Sequence, residues 1–281
     1  MDLGFAGTVV AVTGASKGIG YACAEAFARE GAKVALVSRS TANLDAALAR
    51  LKGVPQVPIA VVADLVRAED ATRMADEVER ALGPIDVLVN SAGAARRYTP
   101  DDLDAAAWHA AMDAKYFSYI HPIAAILPRM AARGRGTIVN IIGSGGKVAS
   151  PVHLPGGAAN AALMLATTGL AAAFAPKGIR INGINPGSTL TGRVQEGLAV
   201  EAKMTGLTEE ELLQRMQAKI PLGRLGDAGG GCAGRAVSRI DPRELRNGRD
   251  RAHGRRSQSG HLTPDATRRP FRSTDATNNN V

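Results

Sequence analysis

Cysteine is scarce in this chain of 281 residues, which contains two, Cys23 and Cys232. Two cysteines provide neither a disulfide framework nor a cysteine-based metal cluster. The chain also lacks a run of roughly 18 consecutive apolar residues, the length that a membrane helix needs, and no basic segment followed by an apolar stretch opens it. We therefore expect a cytoplasmic protein with no metal site and no membrane partner.

Negative charge is outnumbered by positive charge, and the formal net charge is +8 at pH 7. Most of the excess lies after residue 232, for example between Arg246 and Arg256. A basic segment of low hydrophobicity is more typical of a solvated tail than of a surface that reads nucleic acid. We therefore expect no nucleic-acid partner.

What the chain does contain is an alternation of short apolar runs and helical patterns. We predict strands at Thr8–Val12, Lys33–Val37, Ile59–Ala63, Ile85–Val89, Thr137–Ile142 and Ile179–Ile184. We predict helices over residues 18–30, 43–51, 68–82 and 158–174, and a long helical region over 102–132 that is interrupted near Pro122 and Pro128. Apolar strands that alternate with helices are typical of a parallel sheet covered on both faces. The pattern predicts a Rossmann-like, doubly wound α/β fold, whose ligands bind at the carboxyl ends of the strands.

A glycine-rich segment follows the first predicted strand and opens the first helix. Residues 13–20 read T-G-A-S-K-G-I-G. Glycines let a backbone turn tightly and approach a pyrophosphate, and the helix then points its N–H groups and the positive end of its dipole at the phosphates. The segment therefore predicts a dinucleotide site formed by Gly14, Ser16, Lys17, Gly18, Ile19 and Gly20.

The spacing T-G-x-x-x-G-x-G resembles that of the short-chain dehydrogenase/reductase family, and three further motifs follow in the family's order. They are Asp64-Leu65 after the third strand, N-S-A-G at residues 90–93 after the fourth, and Pro186-Gly187 with Thr191 after the sixth. The resemblance covers about residues 5–228. It implies that Asp64 and Leu65 contact the adenine, that Asn90, Ala92 and Gly93 line the cofactor, and that Pro186, Gly187 and Thr191 hold the nicotinamide amide.

The choice between NAD and NADP is read at the end of the second strand. A carboxylate there would bind the ribose 2′-hydroxyl of NAD and repel a 2′-phosphate. Residues 38–40 are Ser-Arg-Ser, with no carboxylate. Arg39 can pair with a phosphate, and Lys17 adds a second positive charge. We therefore predict NADP as the cofactor, in preference to NAD.

The family's catalytic set is Asn, Ser, Tyr and Lys, and this chain departs from it. Ser144 matches the family's Ser. Alignment of residues 160–163, N-A-A-L, with the family's common K-A-A-L puts Gly156 at the Tyr position and Asn160 at the Lys position. No tyrosine follows Ser144. The resemblance therefore implies a proton-transfer set without the usual phenol.

A reciprocal exchange accompanies this loss. The family's Asn follows a Met-Asp-x pattern, and here residues 112–114, M-D-A, are followed by Lys115. A Lys at one position and Asn160 at the other would keep one cation and one amide in the same pocket. We therefore predict Ser144, Lys115 and Asn160 as catalytic residues. The acid that replaces the phenol stays open between Tyr116, Tyr119, His121 and His153.

Composition changes abruptly at Gly229, where hydrophobic periodicity stops. We predict a dinucleotide-binding domain over residues 1–228 and a basic, irregular, disordered tail over 229–281. Codons for residues 229–233, G-G-G-C-A, permit E-E-V-A when they are read one base on, and members of the family commonly continue in that way. We therefore interpret the tail as frameshifted. We expect the sheet to lack the family's last strand, and the homo-oligomer that is usual in the family to be in doubt.

Three functions remain open from the sequence. The first is an NADP-dependent oxidoreductase that interconverts a small-molecule carbonyl and an alcohol with a non-standard catalytic set. The second is an inactive homologue that still binds the dinucleotide. The third is a defective product that does not fold fully. The identity of the substrate is not readable from the sequence.

Overall fold

The computed structural model describes residues 4–93, 96–228 and 251–252. Its strands are β1 Val9–Thr13, β2 Lys33–Ser38, β3 Ile59–Val62, β4 Val87–Asn90, β5 Gly136–Ile141, β6 Ile179–Asn185, β7 Thr189–Leu190, β8 Gly226–Asp227 and β9 Arg251–Ala252. Its α-helices are α1 Gly18–Arg29, α2 Thr41–Arg50, α3 Ala68–Leu82, α4 Ala105–Ala111, α5 Ser118–Arg133, α6 Leu154–Phe174, α7 Gly192–Thr205 and α8 Glu209–Ala218.

The main sheet is parallel and has the strand order β3-β2-β1-β4-β5-β6-β9. This order reverses direction between β1 and β4, and the switch point opens a crevice at the carboxyl ends of these two strands. The predicted Rossmann-like fold is therefore confirmed, with six strands of four residues or more in the sheet.

Alternate residues of the central strands enter two separate cores. On one face, Val10 and Val12 of β1 pack with side chains of α1 and α2. On the other, Val9 and Ala11 pack in a cluster that contains Met74 of α3 and Ile126 of α5. Because both faces are covered, every residue of β1 is buried, which explains the unbroken apolar runs in the sequence.

The long helical region is interrupted at a different place from the one predicted. Helix α5 runs through both Pro122 and Pro128. A proline inside a helix costs about 3 kcal/mol, and burial of Ile123, Ile126 and Met130 on the same helix offsets that cost. The break lies earlier, at Met112–Phe117, where the chain forms a wider π-helical turn between α4 and α5.

Other predicted boundaries shift by small amounts, apart from the start of α6. That helix begins at Leu154 rather than at residue 158, because Leu154-Pro155 forms a first turn that needs no N–H partner for the proline. By length and composition alone the described stretch Pro151–Lys177 could cross a membrane. In the structure its inner face packs Leu163 against Tyr119, so it serves as a helix of the domain core.

The edge of the sheet beyond β6 carries one more strand than predicted. Arg251 and Ala252 pair in parallel with Ile184 and Asn185. Such pairing uses backbone groups alone, so it does not depend on the side chains that the tail has in place of the family's. This two-residue pairing was not predicted from the sequence. The rest of the predicted tail lies outside the described residues.

Candidate active site

The glycine loop between β1 and α1 packs directly on the segment that follows β4. Gly14 has a φ of +65°, and a Cβ there would lie 2.7 Å from the backbone oxygen of Ser91. A Cβ on Gly20 would collide with the backbone oxygen of Gly14. A larger residue at Gly14 would push the loop away from the segment after β4, and one at Gly20 would push α1 away from the loop, so both glycines are required by close backbone approach.

The same loop leaves room for a ligand on its outer side. Gly18 has a φ of +60°, and a Cβ there would have one heavy atom within 4 Å, Cγ2 of Thr191 at 3.9 Å. Lys17 is the N-cap residue of α1, and no side chain caps the first turn of that helix. Its first N–H groups and the positive end of its dipole therefore face the space between Gly18 and Thr191, an arrangement that fits a pyrophosphate.

Thr13, which the sequence analysis did not single out, holds the segment after β4. Its Oγ1 accepts hydrogen bonds from the N–H groups of Ser91 and Ala92, each at 3.1 Å. Gly93 has a φ of +96°, and a Cβ there would collide with the backbone oxygen of Ala114 in the π-helical turn. The wall of the cofactor crevice is therefore locked to β1 on one side and to the π-helical turn on the other.

A chain of buried amides runs from this wall across the sheet. Nδ2 of Asn90 donates to Oδ1 of Asn140 at 3.0 Å. Nδ2 of Asn140 donates in turn to Oγ1 of Thr167 at 2.9 Å, and Thr167 donates to the backbone oxygen of Leu163. This series of hydrogen bonds connects the crevice with α6, and the sequences of β5 and α6 did not predict it.

The carboxyl end of β2 is positively charged and contains no carboxylate. The hydroxyls of Ser16 and Ser38 lie 3.2 Å apart. The next residue after each of these serines is a cation, Lys17 or Arg39, and both side chains are exposed. In the described part of the chain neither cation forms an ion pair, so both are available to an anionic ligand at this edge.

The segment after β3 is held by a carboxylate of α3. The N–H of Asp64 donates to Oδ2 of Asp70 at 2.8 Å. This hydrogen bond, with a second from Arg73, lowers the pKa of Asp70 below its ordinary value. Leu65 is buried, and its backbone oxygen lies 3.0 Å from Nδ1 of His121. His121 therefore lies beside the segment after β3, which is predicted to contact the adenine, and is held there by a backbone oxygen.

The segment after β6 reaches the turn that carries Ser144. The N–H of Ser144 donates to the backbone oxygen of Pro186 at 3.3 Å, and the N–H of Gly143 donates to Oδ1 of Asn185 at the same distance. Ser144 itself is exposed, in a short 3-10 turn over Ser144–Gly146. Ser144 therefore lies beside the segment in which Pro186, Gly187 and Thr191 are predicted to hold the nicotinamide.

Lys115 is buried, with an exposed fraction of 6%. Its Nζ donates to Oη of Tyr119 at 2.7 Å and to the backbone oxygen of Ile141 at 3.2 Å. The π-helical turn presents Lys115 toward the sheet, where Ile141 ends β5 three residues before Ser144. Lys115 is therefore not an exposed helix cation, because its ammonium lies under the end of β5.

Asn160 approaches the same segment from α6. It is buried, and its Oδ1 has no hydrogen-bond partner among the described residues. Its Nδ2 would lie 3.3 Å from a Cβ on Gly143. The ammonium of Lys115 and the amide of Asn160 therefore both reach the stretch Ile141–Gly143, as the predicted exchange of Lys and Asn requires.

Neither of the two tyrosines next to Lys115 is exposed. Tyr119 is completely buried, and its Oη donates to the backbone oxygen of Ile141. Tyr116 packs edge-to-face on Phe117 and against the core cluster that contains Tyr119. Tyr119 therefore accepts a hydrogen bond that positions the ammonium of Lys115, a role that the sequence did not predict.

Comparisons with known proteins identify the family to which this fold belongs. The family model for short chain dehydrogenases matches residues 8–201. A curated relative, 2-(S)-hydroxypropyl-CoM dehydrogenase 3 of Xanthobacter autotrophicus, is 36% identical over 219 residues, which are 78% of this chain and 84% of the relative.

Two solved structures are similar over most of their length. An NAD⁺-bound xylitol dehydrogenase is 25% identical with a TM-score of 0.82, over 89% of this chain and 98% of the other. An NADPH-bound short chain oxidoreductase of Pseudomonas aeruginosa PAO1, described as containing an atypical catalytic center, is 32% identical with a TM-score of 0.76, over 92% and 98%. The chain belongs to the short-chain dehydrogenase family.

Proposed function

We propose that this protein is an NADP-dependent oxidoreductase of the cytoplasm that interconverts a small-molecule carbonyl and an alcohol with a non-standard catalytic set. The observation that carries this proposal is the meeting of Lys115 and Asn160 at the end of β5. Burial of an ammonium is costly, and an inactive domain would gain nothing from keeping one beside the nicotinamide end of the crevice.

The cofactor would be held along the carboxyl edge of the sheet. Lys17 and Arg39 would hold the 2′-phosphate, and Asp64 and Leu65 would hold the adenine. The first turn of α1 would hold the pyrophosphate, and Thr191 with Pro186 and Gly187 would hold the nicotinamide amide. When bound, NADP(H) supplies or accepts a hydride at the nicotinamide ring.

Three side chains would form the catalytic set around the substrate oxygen. The exposed hydroxyl of Ser144 would donate a hydrogen bond to it. Lys115, whose ammonium donates to the backbone oxygen of Ile141, would place a positive charge at the end of β5. Asn160, whose Oδ1 is buried without a partner among the described residues, would orient a water or substrate hydroxyl.

A second function is favoured by one specific observation. The residue aligned with the family's Tyr is Gly156, which has no side chain that could transfer a proton. On this alternative the protein binds the dinucleotide and performs no redox reaction.

One experiment separates the two functions. Fluorescence titration with NADPH and NADH measures binding, and a screen of ketones, ketoses and secondary alcohols measures hydride transfer. We expect tight NADPH binding together with turnover of at least one carbonyl. Tight binding without turnover across the screen would instead support the inactive homologue.

A further inference from the structure

A candidate for the proton donor that replaces the missing tyrosine lies on one face of α6. His153 is the N-cap residue of this helix, and Asn160 lies in its second turn. Residues spaced by three, four and seven positions share a helix face. His153, Gly156, Gly157 and Asn160 therefore lie along one face, and the two positions between the imidazole and the amide carry no side chain.

The turn over Ser144–Gly146 packs on this face. A Cβ on Gly157 would lie 2.9 Å from the backbone oxygen of Gly145, so a tyrosine at that position would displace the turn. A Cβ on Gly145 would lie 3.2 Å from Cδ2 and 3.8 Å from Nε2 of His153, and 3.5 Å from Nδ2 of Asn160. The imidazole edge of His153 and the side-chain amide of Asn160 therefore both approach Gly145, the residue after Ser144.

The ring is oriented by its surroundings. Nδ1 of His153 is buried, whereas the Cδ2–Nε2 edge faces Gly145. The turn in front of that edge is tied to the nicotinamide-holding segment through the hydrogen bond from Ser144 to Pro186. Nε2 is therefore the ring nitrogen on the side of the turn that carries Ser144.

Of the chain's four tyrosines, Tyr98 is the competitor for this role that is held next to His153. Tyr119 is completely buried, Tyr116 is half-buried and packs edge-to-face on Phe117, and Tyr21 lies under the guanidinium of Arg50, 3.9 Å from its ring centroid. The N–H of Tyr98 donates to the backbone oxygen of Val152, next to His153. Its phenol is half-buried, so the test must discriminate Tyr98 from His153.

We propose that His153 is the general acid and base of this enzyme, an inference that rests on the proposed oxidoreductase function. In the reductive direction, a hydride from the reduced nicotinamide cofactor forms the new C–H bond at the carbonyl carbon. The π-electron pair of the carbonyl moves onto oxygen, which takes the proton from Nε2 of the imidazolium. The products are the alcohol, the oxidised cofactor and neutral His153, which regains a proton from water. Oxidation of the alcohol reverses each of these transfers.

The experiment compares the parent with His153→Ala, His153→Gln and Tyr98→Phe in the full chain. Ethyl acetoacetate, diacetyl and L-xylulose serve as carbonyl probes with NADPH. Loss of a positioned proton-transfer group lowers turnover by about 10²–10⁴-fold, and we expect that loss in both His153 variants with NADPH affinity unchanged. Tyr98→Phe should keep the parental turnover. Added imidazole should restore part of the turnover of His153→Ala, because the vacated space admits a free imidazole, and a purely structural role would not respond to it.

The outcomes distinguish this inference from the function on which it rests. If the parent reduces a probe and His153→Ala does so at the parental rate, the role of His153 is wrong and the oxidoreductase function stands. Loss of turnover in Tyr98→Phe, without imidazole rescue of His153→Ala, would assign the role to Tyr98. If the parent binds NADPH and reduces none of the probes, both proposals fail for these carbonyls.

Discussion

The side-chain amide of Asn90 donates a hydrogen bond of 3.0 Å to Oδ1 of Asn140, and both side chains are completely buried. This contact is the centre of a series of side-chain hydrogen bonds that begins at Thr13, in the crevice, and ends at Thr167, on α6. Because α6 also carries Asn160 and follows His153, the two halves of the candidate active site share one hydrogen-bonded support.

The first prediction concerns this support. Asn140→Leu would leave Nδ2 of Asn90 without its acceptor and remove the donor to Thr167. Each buried polar group that loses its partner costs about 1–3 kcal/mol, so we expect a lower melting temperature and weaker NADPH binding. Thermal unfolding and fluorescence titration measure both. Asn43→Ala, at an exposed position of α2, is the matched control, and equal stability of the two variants would contradict a structural role of the chain.

The second prediction concerns the cofactor. A charge-assisted contact to phosphate contributes about 1.5–3 kcal/mol, or roughly 10- to 100-fold in affinity. We therefore expect NADPH to bind more tightly than NADH, and Arg39→Ala to remove most of the difference by weakening NADPH alone. Dissociation constants of both cofactors test this. Arg80→Ala, near the far end of α3, should leave both constants unchanged. Equal affinities in the parent would refute the assignment of Arg39.

The third prediction concerns Lys115. Lys115→Met keeps an unbranched chain of similar length and removes the ammonium, while the hydrogen bond from Tyr119 to Ile141 can persist. We expect turnover to fall by about 10²–10³-fold, the size typical of losing one electrostatic contribution to the transition state, with little change in NADPH binding. Lys52→Met, at an exposed position after α2, controls for the general effect of removing a lysine. Parental turnover in Lys115→Met would show that its charge serves the fold and not the reaction.

The fourth prediction concerns the origin of residues 229–281. If one inserted base shifted the reading frame, the coding DNA must encode E-E-V-A when the codons of residues 229–233 are read one base on. It must also encode S-Y-V-T-G within the shifted codons of residues 237–257. Sequencing of the gene decides this directly. DNA that does not encode E-E-V-A in the shifted frame would show that the tail is the natural end of the protein.

The sequence predicted the six main strands and the helices between them, and it marked the close backbone approach at the glycine loop. Each apolar run stands between two helical patterns, and burial on both faces leaves such runs no other stable arrangement than a covered parallel sheet. The glycine loop could be predicted because close backbone approach at Gly14 and Gly20 tolerates no side chain, so each position requires one residue type.

The tertiary structure decided the arrangement of the catalytic candidates. Lys115 reads as an ordinary helix cation until the π-helical turn directs it under Ile141. His121 and His153 read alike until a contact with Leu65 places His121 beside the segment after β3. Continuation of α5 through Pro122 and Pro128 likewise depends on packing that local propensity does not include. These features depend on contacts between residues far apart in the chain, such as Lys115 with Ile141 and Gly145 with His153, and it is folding that brings such residues together.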